Sequence, residues 1–337
     1  MSWYVYLLEC ADGTLYTGIT RDPAEREAAH NRGVGAAYTR ARLPVRLAFV
    51  EPAAHRPAAL RRELQLKAWP RRRKLELLAT RECVRRDAPL LSTAGFAAPH
   101  GFSSRDGGVS DGSYRSLNLG ANTADRPERV ERNREIFADW FGVDSKRVSL
   151  LDQVHGERVV PAGADGSPAA DAQISDDPSL LLAIGSADCL PLLFHDRRTG
   201  AVGAAHCGWR GTASGLAAKT VSAMQEEFGS RARDIVVAIG PGICRTCYQV
   251  GPEVVERFLA AGLPARLATP DGERWLLDLA AANVHVLERA GVSRRSILLQ
   301  SQACTSCDPD RFFSHRRDSG VTGRHWGAVR ATRPMDG

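Results

Sequence analysis

The sequence predicts an α/β (α+β) protein of two domains, a small one followed by a larger layered one, on three observations. The chain has 337 residues, more than one hydrophobic core commonly organises. Charge is uneven along it: residues 1 to 90 hold 17 Lys and Arg against 10 Asp and Glu, and the rest hold 28 against 29. In the second part, long apolar strand-like runs are mixed with helical patterns, which requires sheets covered on at least one face.

The elements follow in order. Alternation in WYVYLLEC, the turn ADGT and the run LYTGIT predict a hairpin, with Asp12-Gly13 as its tight connection. DPAEREAAHN predicts a helix with Asp22 as N-cap and Pro23 at the first helical position. VRLAFVE gives a third strand, and PAALRRELQLKAWPRRRKLELLA gives helices interrupted at Pro70. Charged RECVRRDAP then breaks the pattern and new elements begin near Leu90, which sets the domains at 1–84 and 85–337. Beyond it come the glycine-rich turns of RDGGVSDG and a helix around PERVERNREIFADWFG. Strands LLLAIGS, LPLLFHD, AVGAAH and DIVVAIG and helices in GPEVVERFLAAG and LDLAAANVHVLERAG complete the pattern.

Composition narrows the function. No apolar run approaches the roughly 20 residues that span a bilayer, and MSWYVYLLEC has no basic segment ahead of its apolar part, so the expectation is a cytoplasmic protein without a membrane partner. The basic first quarter suits DNA or RNA. Eight cysteines in such a chain point to metal binding, catalysis or burial rather than disulfides. Cys244-x-x-Cys247 and Cys304-x-x-Cys307 look like zinc half-sites, but their separation exceeds the usual 15 to 20 residues and weighs against one shared zinc.

Three strand-like runs end at or beside His155, Cys189 and His206. Two His and one Cys make three ligands and leave a position open for water or substrate, as catalytic zinc requires. A structural role for each residue remains the alternative, because the separations carry no local signature.

Tyr4-Val5-Tyr6 and Tyr16-Thr17-Gly18, on adjacent strands, resemble the two halves of the GIY-YIG nuclease signature, and the resemblance covers residues 1 to about 80. It implies phosphodiester cleavage, with Glu63 on a single magnesium or manganese ion, Arg26 on the phosphate, and Tyr6, Tyr16 and His30 orienting or activating the nucleophile. Nucleic-acid binding without cleavage is the alternative.

Residues 90 to 330 resemble, nearly end to end, the laccase-domain family, also called multicopper polyphenol oxidoreductase-like, peptidoglycan editing factor or purine nucleoside phosphorylase. HGFSSRDGGVSDGSYRSLNLG, DQVHG, SADCLPLLF, AAHCGWRGTASG, IGPGICRTCYQVG and FFSHRRDSGVTGR carry the resemblance. It implies a layered α/β/β/α fold with mixed sheets, a zinc on His155, Cys189 and His206, and phosphorolysis of adenosine, inosine or methylthioadenosine by a monomer or homodimer. Phosphate needs cations, for which Arg210, Arg316 and Arg317 are the candidates, with Asp318 in the same trio; Asp188 is the candidate acid or base. Cys207, Cys244-Arg245 and His315 depart from the family pattern and bear on substrate preference.

A His2Cys set also suits blue copper, but that arrangement usually adds an axial Met. Met1 and Met335 lie at the chain ends and Met224 in a predicted polar helix, so zinc is preferred. Three other functions stay open: adenosine deamination by the same zinc, a Cys189 hydrolase acting on cell-wall precursors, and a nucleic-acid adaptor without catalysis.

Overall fold

In the computed structural model, which describes residues 3–53, 56–71, 74, 90–163, 166–300 and 303–333, the first alternating run forms strand Trp3–Cys10. It lies in the middle of a three-stranded antiparallel sheet, flanked by Leu15–Thr20 and Val45–Ala53. Asp12 fixes the turn by accepting from the Thr14 N–H at 3.0 Å and its hydroxyl at 2.6 Å. Helix Pro23–Asn31 starts where its cap predicts, the Asp22 side chain accepting from the Glu25 N–H at 3.0 Å. Alternation divides the central strand between two clusters, Val5 and Leu7 with Phe49, Ala59 and Leu66, and Tyr6, Leu8 and Cys10 with Val45. The helix after the third strand runs Arg56–Ala68. Most of the predicted segment beyond Pro70, and the 84/85 boundary, lie outside the described residues. The chain divides into two compact units, Met1–Ala88 and Pro89–Gly337.

The second unit is built on two mixed sheets. One runs, edge to edge, Ile297–Leu299, Ile235–Ile239, Leu190–Asp196, Val202–Cys207, Ala172–Ser175 and Val159–Pro161; the other Leu90–Leu91, His100–Ser103, His325–Arg330, Leu181–Ser186 and Val148–Ser149. All seven residues of Leu190–Asp196 are buried, which is why that strand reads as an unbroken apolar run rather than an alternating one. Leu190, Leu192 and Phe194 pack with Leu216, Val221, Val254, Leu279 and Leu287 of three helices, Leu216–Phe228, Pro252–Ala260 and Leu279–Arg289. Each such side chain contributes about 1.5–3 kcal/mol on burial.

The opposite faces of the two sheets meet each other. A Cβ at Gly327 would lie 2.9 Å from atoms of both Phe102 on its own sheet and Pro191 on the facing one, so glycine allows the close approach there. Helix Pro127–Asp139 closes the outer side of the second sheet, Phe137 packing edge-on against Trp326 with ring centroids 5.5 Å apart. The layers are therefore α/β/β/α. The Leu216–Phe228 helix is amphipathic rather than polar as predicted, and Met224 is fully buried in the core on its apolar face. Among the described residues, no helix is long and apolar enough to cross a membrane.

Candidate metal centre

Antiparallel pairing brings two of the three candidate ligands together. Strand Leu190–Asp196 begins directly after Cys189, and Val202–Cys207 ends beside it, with Leu190 opposite Cys207 and Pro191 opposite His206. His155 approaches from the 151–158 loop, its ring centroid 4.8 Å from that of His206 at 80°. One ligand atom from each of His155, Cys189 and His206 lies within 4.8 Å of the others. Alternation along the strand sends Cys207 the other way, into the hydrophobic core, where burial pushes its thiol up.

The electrostatics favour the thiolate form of Cys189, the form that binds metal. Burial works against ionisation of Cys189, but His206 and His155 beside it bring the thiol down to about 6. His206 is opposed by burial yet raised to about 9 by Cys189 and by Asp171. Asp171 is fully buried; its carboxylate accepts from His206 Nδ1 at 2.9 Å and from the N–H groups of His155 at 3.1 Å and Gly156 at 2.6 Å. This leaves His206 Nε2 for the ligand position, the carboxylate–histidine–metal arrangement. The donor set and its outer partner thus fit a zinc ion.

Two residues in these loops hold left-handed backbone, His155 at φ 59° and Asp188 at φ 95°, a cost of about 1–3 kcal/mol each. Asp171 offsets the first. The second is held by the Asp188 carboxylate, which accepts from the Thr305 hydroxyl at 2.6 Å and the Arg316 N–H at 2.7 Å.

Beside the triad opens a cleft of about 450 Å³ lined by His155, Gly156, Glu157, Trp209, Arg210, Ser214 and Arg257. Arg210 stacks on Trp209, its guanidinium carbon 4.3 Å from the ring centroid, and among the described residues no carboxylate pairs with it. Arg317 is placed otherwise than its candidacy expected: its guanidinium is committed to both Asp318 oxygens at 2.7 Å and to the carbonyls of Thr305 and Phe312. Arg316 is exposed, with Nη1 donating to the Gln249 carbonyl at 2.7 Å. Asp188 has both oxygens engaged, by the Thr305 hydroxyl and the Arg316 N–H, and so holds the Cys189 loop.

In the first unit the four candidates on the sheet and first helix also converge. The Tyr6 hydroxyl lies 3.1 Å from His30 Nε2 and accepts from Arg26 Nε at 3.3 Å, while the Tyr16 and His30 ring centroids are 5.3 Å apart. Burial raises the Tyr6 hydroxyl despite Arg26, and Glu63 is near enough to add to that rise. Glu63 pairs with Lys67 at 2.8 Å. Register sets Tyr6 against Gly18, where a Cβ would lie 2.5 Å from the Tyr6 hydroxyl oxygen; only glycine leaves room for this tyrosine.

Residues 99–332 match the model of the family described as multi-copper polyphenol oxidoreductase laccase. The chain belongs to that family. Residues 2–76 match the GIY-YIG catalytic domain. A purine nucleoside phosphorylase of Deinococcus radiodurans is 43% identical over 241 residues, covering 72% of this chain and 92% of that protein. Purine nucleoside phosphorylase YfiH of Escherichia coli is 38% identical over 225 residues, covering 66% and 89%. The crystal structure of YlmD from Geobacillus stearothermophilus, 35% identical, superposes with a TM-score of 0.69 over 74% of this chain and 98% of that one.

The laccase-family unit contains site features that sequence reasoning missed. Asp171 is one, and Arg324 is another: half-buried, close enough to Asp188 and Cys189 to feel both charges. Gly208 is a third. A Cβ there would lie 2.8 Å from Cys189 Sγ and 3.6 Å from His155 Cδ2, although its φ of −73° suits any residue. Gly208→Ala is therefore expected to fold normally but to weaken metal binding by roughly tenfold or more, read by chelator competition; unchanged affinity would mean that the thiol has room to move aside.

Proposed function

We propose that the laccase-family unit is a zinc-dependent purine nucleoside phosphorylase and that the GIY-YIG unit is a magnesium- or manganese-dependent endonuclease. The observation that carries the first is the convergence of His155, Cys189 and His206 at the edge of a cleft holding Arg210 and Arg257. The relatives named as purine nucleoside phosphorylases support it.

Phosphorolysis joins a phosphate oxygen to C1′ of the ribose as the C1′–N9 bond breaks, through a state with cationic character on the sugar. The dianion must be bound and the reacting atoms aligned, and the leaving purine must gain a proton. Arg210, held over Trp209 and with no carboxylate partner among the described residues, binds the phosphate, with Arg257 across the same cleft. Zinc on His155, Cys189 and His206 would supply Lewis-acid charge stabilisation at its open position. Asp171 fixes His206, and Asp188 fixes the loop that carries Cys189. Phosphorus NMR of the reaction is expected to show a pentose 1-phosphate formed in step with base release; base released with inorganic phosphate unchanged would identify a hydrolase.

A second reading is favoured by Glu157, which lines the same cleft and is held as a carboxylate by Lys219 at 2.7 Å. A carboxylate there can take a proton from water during adenosine deamination. Ammonia release in phosphate-free buffer tests it, and none would remove it.

For the GIY-YIG unit, Arg26, Tyr6, Tyr16 and His30 form the phosphate and nucleophile side and Glu63 the metal side. Glu63→Ala is expected to abolish cleavage of DNA and RNA substrates in magnesium or manganese; cleavage at the wild-type rate would refute this assignment.

A further inference from the structure

The two Cys-x-x-Cys pairs, which their spacing alone argued against joining, meet in space. Strands Ile235–Ile239 and Ile297–Leu299 are parallel neighbours, Ile239 opposite Leu299. Both chains therefore leave the sheet at the same end, and an isolated bridge between Gly242 and Cys304 continues the pairing. The loops that follow bring Cys244, Cys247, Cys304 and Cys307 together, with all four sulfurs within 4.8 Å of one another.

We propose that these four cysteines bind a second, structural zinc ion as tetrathiolate ligands, separate from the His155–Cys189–His206 site. Tetrahedral zinc with Zn–S bonds of about 2.3 Å sets its sulfurs about 3.8 Å apart. Cys244 and Cys307 are 3.8 Å apart and Cys247 and Cys307 3.3 Å. A disulfide would gather sulfurs in twos, whereas here Cys307 is shared between two partners. The N–H groups of Cys244 and Cys307 point at Cys304 Sγ at 3.2 and 3.4 Å, which lowers the charge that a tetrathiolate must carry. Four thiolates complete a tetrahedral set and leave no open position, so the role is structural.

The clip also has a mechanical consequence. Ile243 donates its N–H to the Asp188 carbonyl at 2.8 Å, and the Thr305 hydroxyl donates to the Asp188 carboxylate. Each cysteine loop thus holds one side of the residue that precedes Cys189. The quartet fixes the floor of the catalytic loop from outside the cleft.

The test counts zinc in the full chain as purified. Cys247→Ser/Cys307→Ser is expected to carry one zinc equivalent per chain fewer than wild type, and His155→Ala/His206→Ala to keep that equivalent. Equal zinc in wild type and the double serine variant would overturn the proposal. Should the serine variant fail to fold, alkylation of the wild-type protein decides. The four thiols are partly exposed, so without metal they react; with zinc they are shielded until a strong chelator is added. Shielding lifted by chelator alone supports the site. Free reaction from the outset, or shielding lifted only by a reductant, would overturn it, the latter in favour of disulfides.

Discussion

Cys189→Ala is expected to lose the triad zinc and to lower kcat/KM for phosphorolysis on the order of a thousandfold, about 4 kcal/mol of transition-state stabilisation. Cys189 would be the anionic ligand of the three, its thiol brought down to about 6 by the histidines beside it against the effect of burial, so its removal takes charge as well as a donor from the site. The fold is expected to survive. Cys189 sits in the turn ahead of strand Leu190–Asp196 rather than in the core cluster. Zinc content, steady-state kinetics and near-ultraviolet circular dichroism separate the two effects. A zinc-free variant that retains activity would mean that the metal does not take part in the reaction.

The next largest effect is expected at a residue that touches neither substrate nor metal. Asp171→Asn preserves shape but replaces one acceptor oxygen by a donor where His206 Nδ1 and two backbone N–H groups converge. A fully buried donor is then left without its partner, at about 1–3 kcal/mol, and His206 loses what sets its tautomer and orientation. Zinc affinity is expected to fall roughly 10- to 100-fold and the melting temperature with it. Chelator competition reads the first and thermal unfolding of the metal-free protein the second. If affinity is unchanged, His206 is oriented by the strand alone.

Much of this was legible in the sequence because it is local. The unbroken apolar runs marked the strands Leu181–Ser186, Leu190–Asp196 and Ile235–Ile239, and Asp22-Pro23 marked a helix start. Cys189 and His206 lie at the ends of adjacent apolar runs that antiparallel pairing brings together, whereas His155 comes from a loop that no strand end marks. What escaped was set by non-local packing. Asp171 lies 35 residues from His206, in a polar stretch with no periodicity to single it out. The cysteine pairs, some 60 residues apart, meet only because their strands are parallel neighbours, a pairing that no spacing rule contains. Arg317 looked like a phosphate ligand for the opposite reason: its charge is evident, whereas the Asp318 carboxylate and the two carbonyls that occupy it are revealed by the fold.

The central claim is that the triad and its cleft carry out phosphorolysis. Release of free base from adenosine, inosine and methylthioadenosine, measured with and without phosphate on protein of known zinc content beside Cys189→Ala, tests it most directly. The account predicts release that requires phosphate and disappears in the variant. Zinc-loaded protein that releases no base from any of the three, or releases it equally without phosphate, would contradict it.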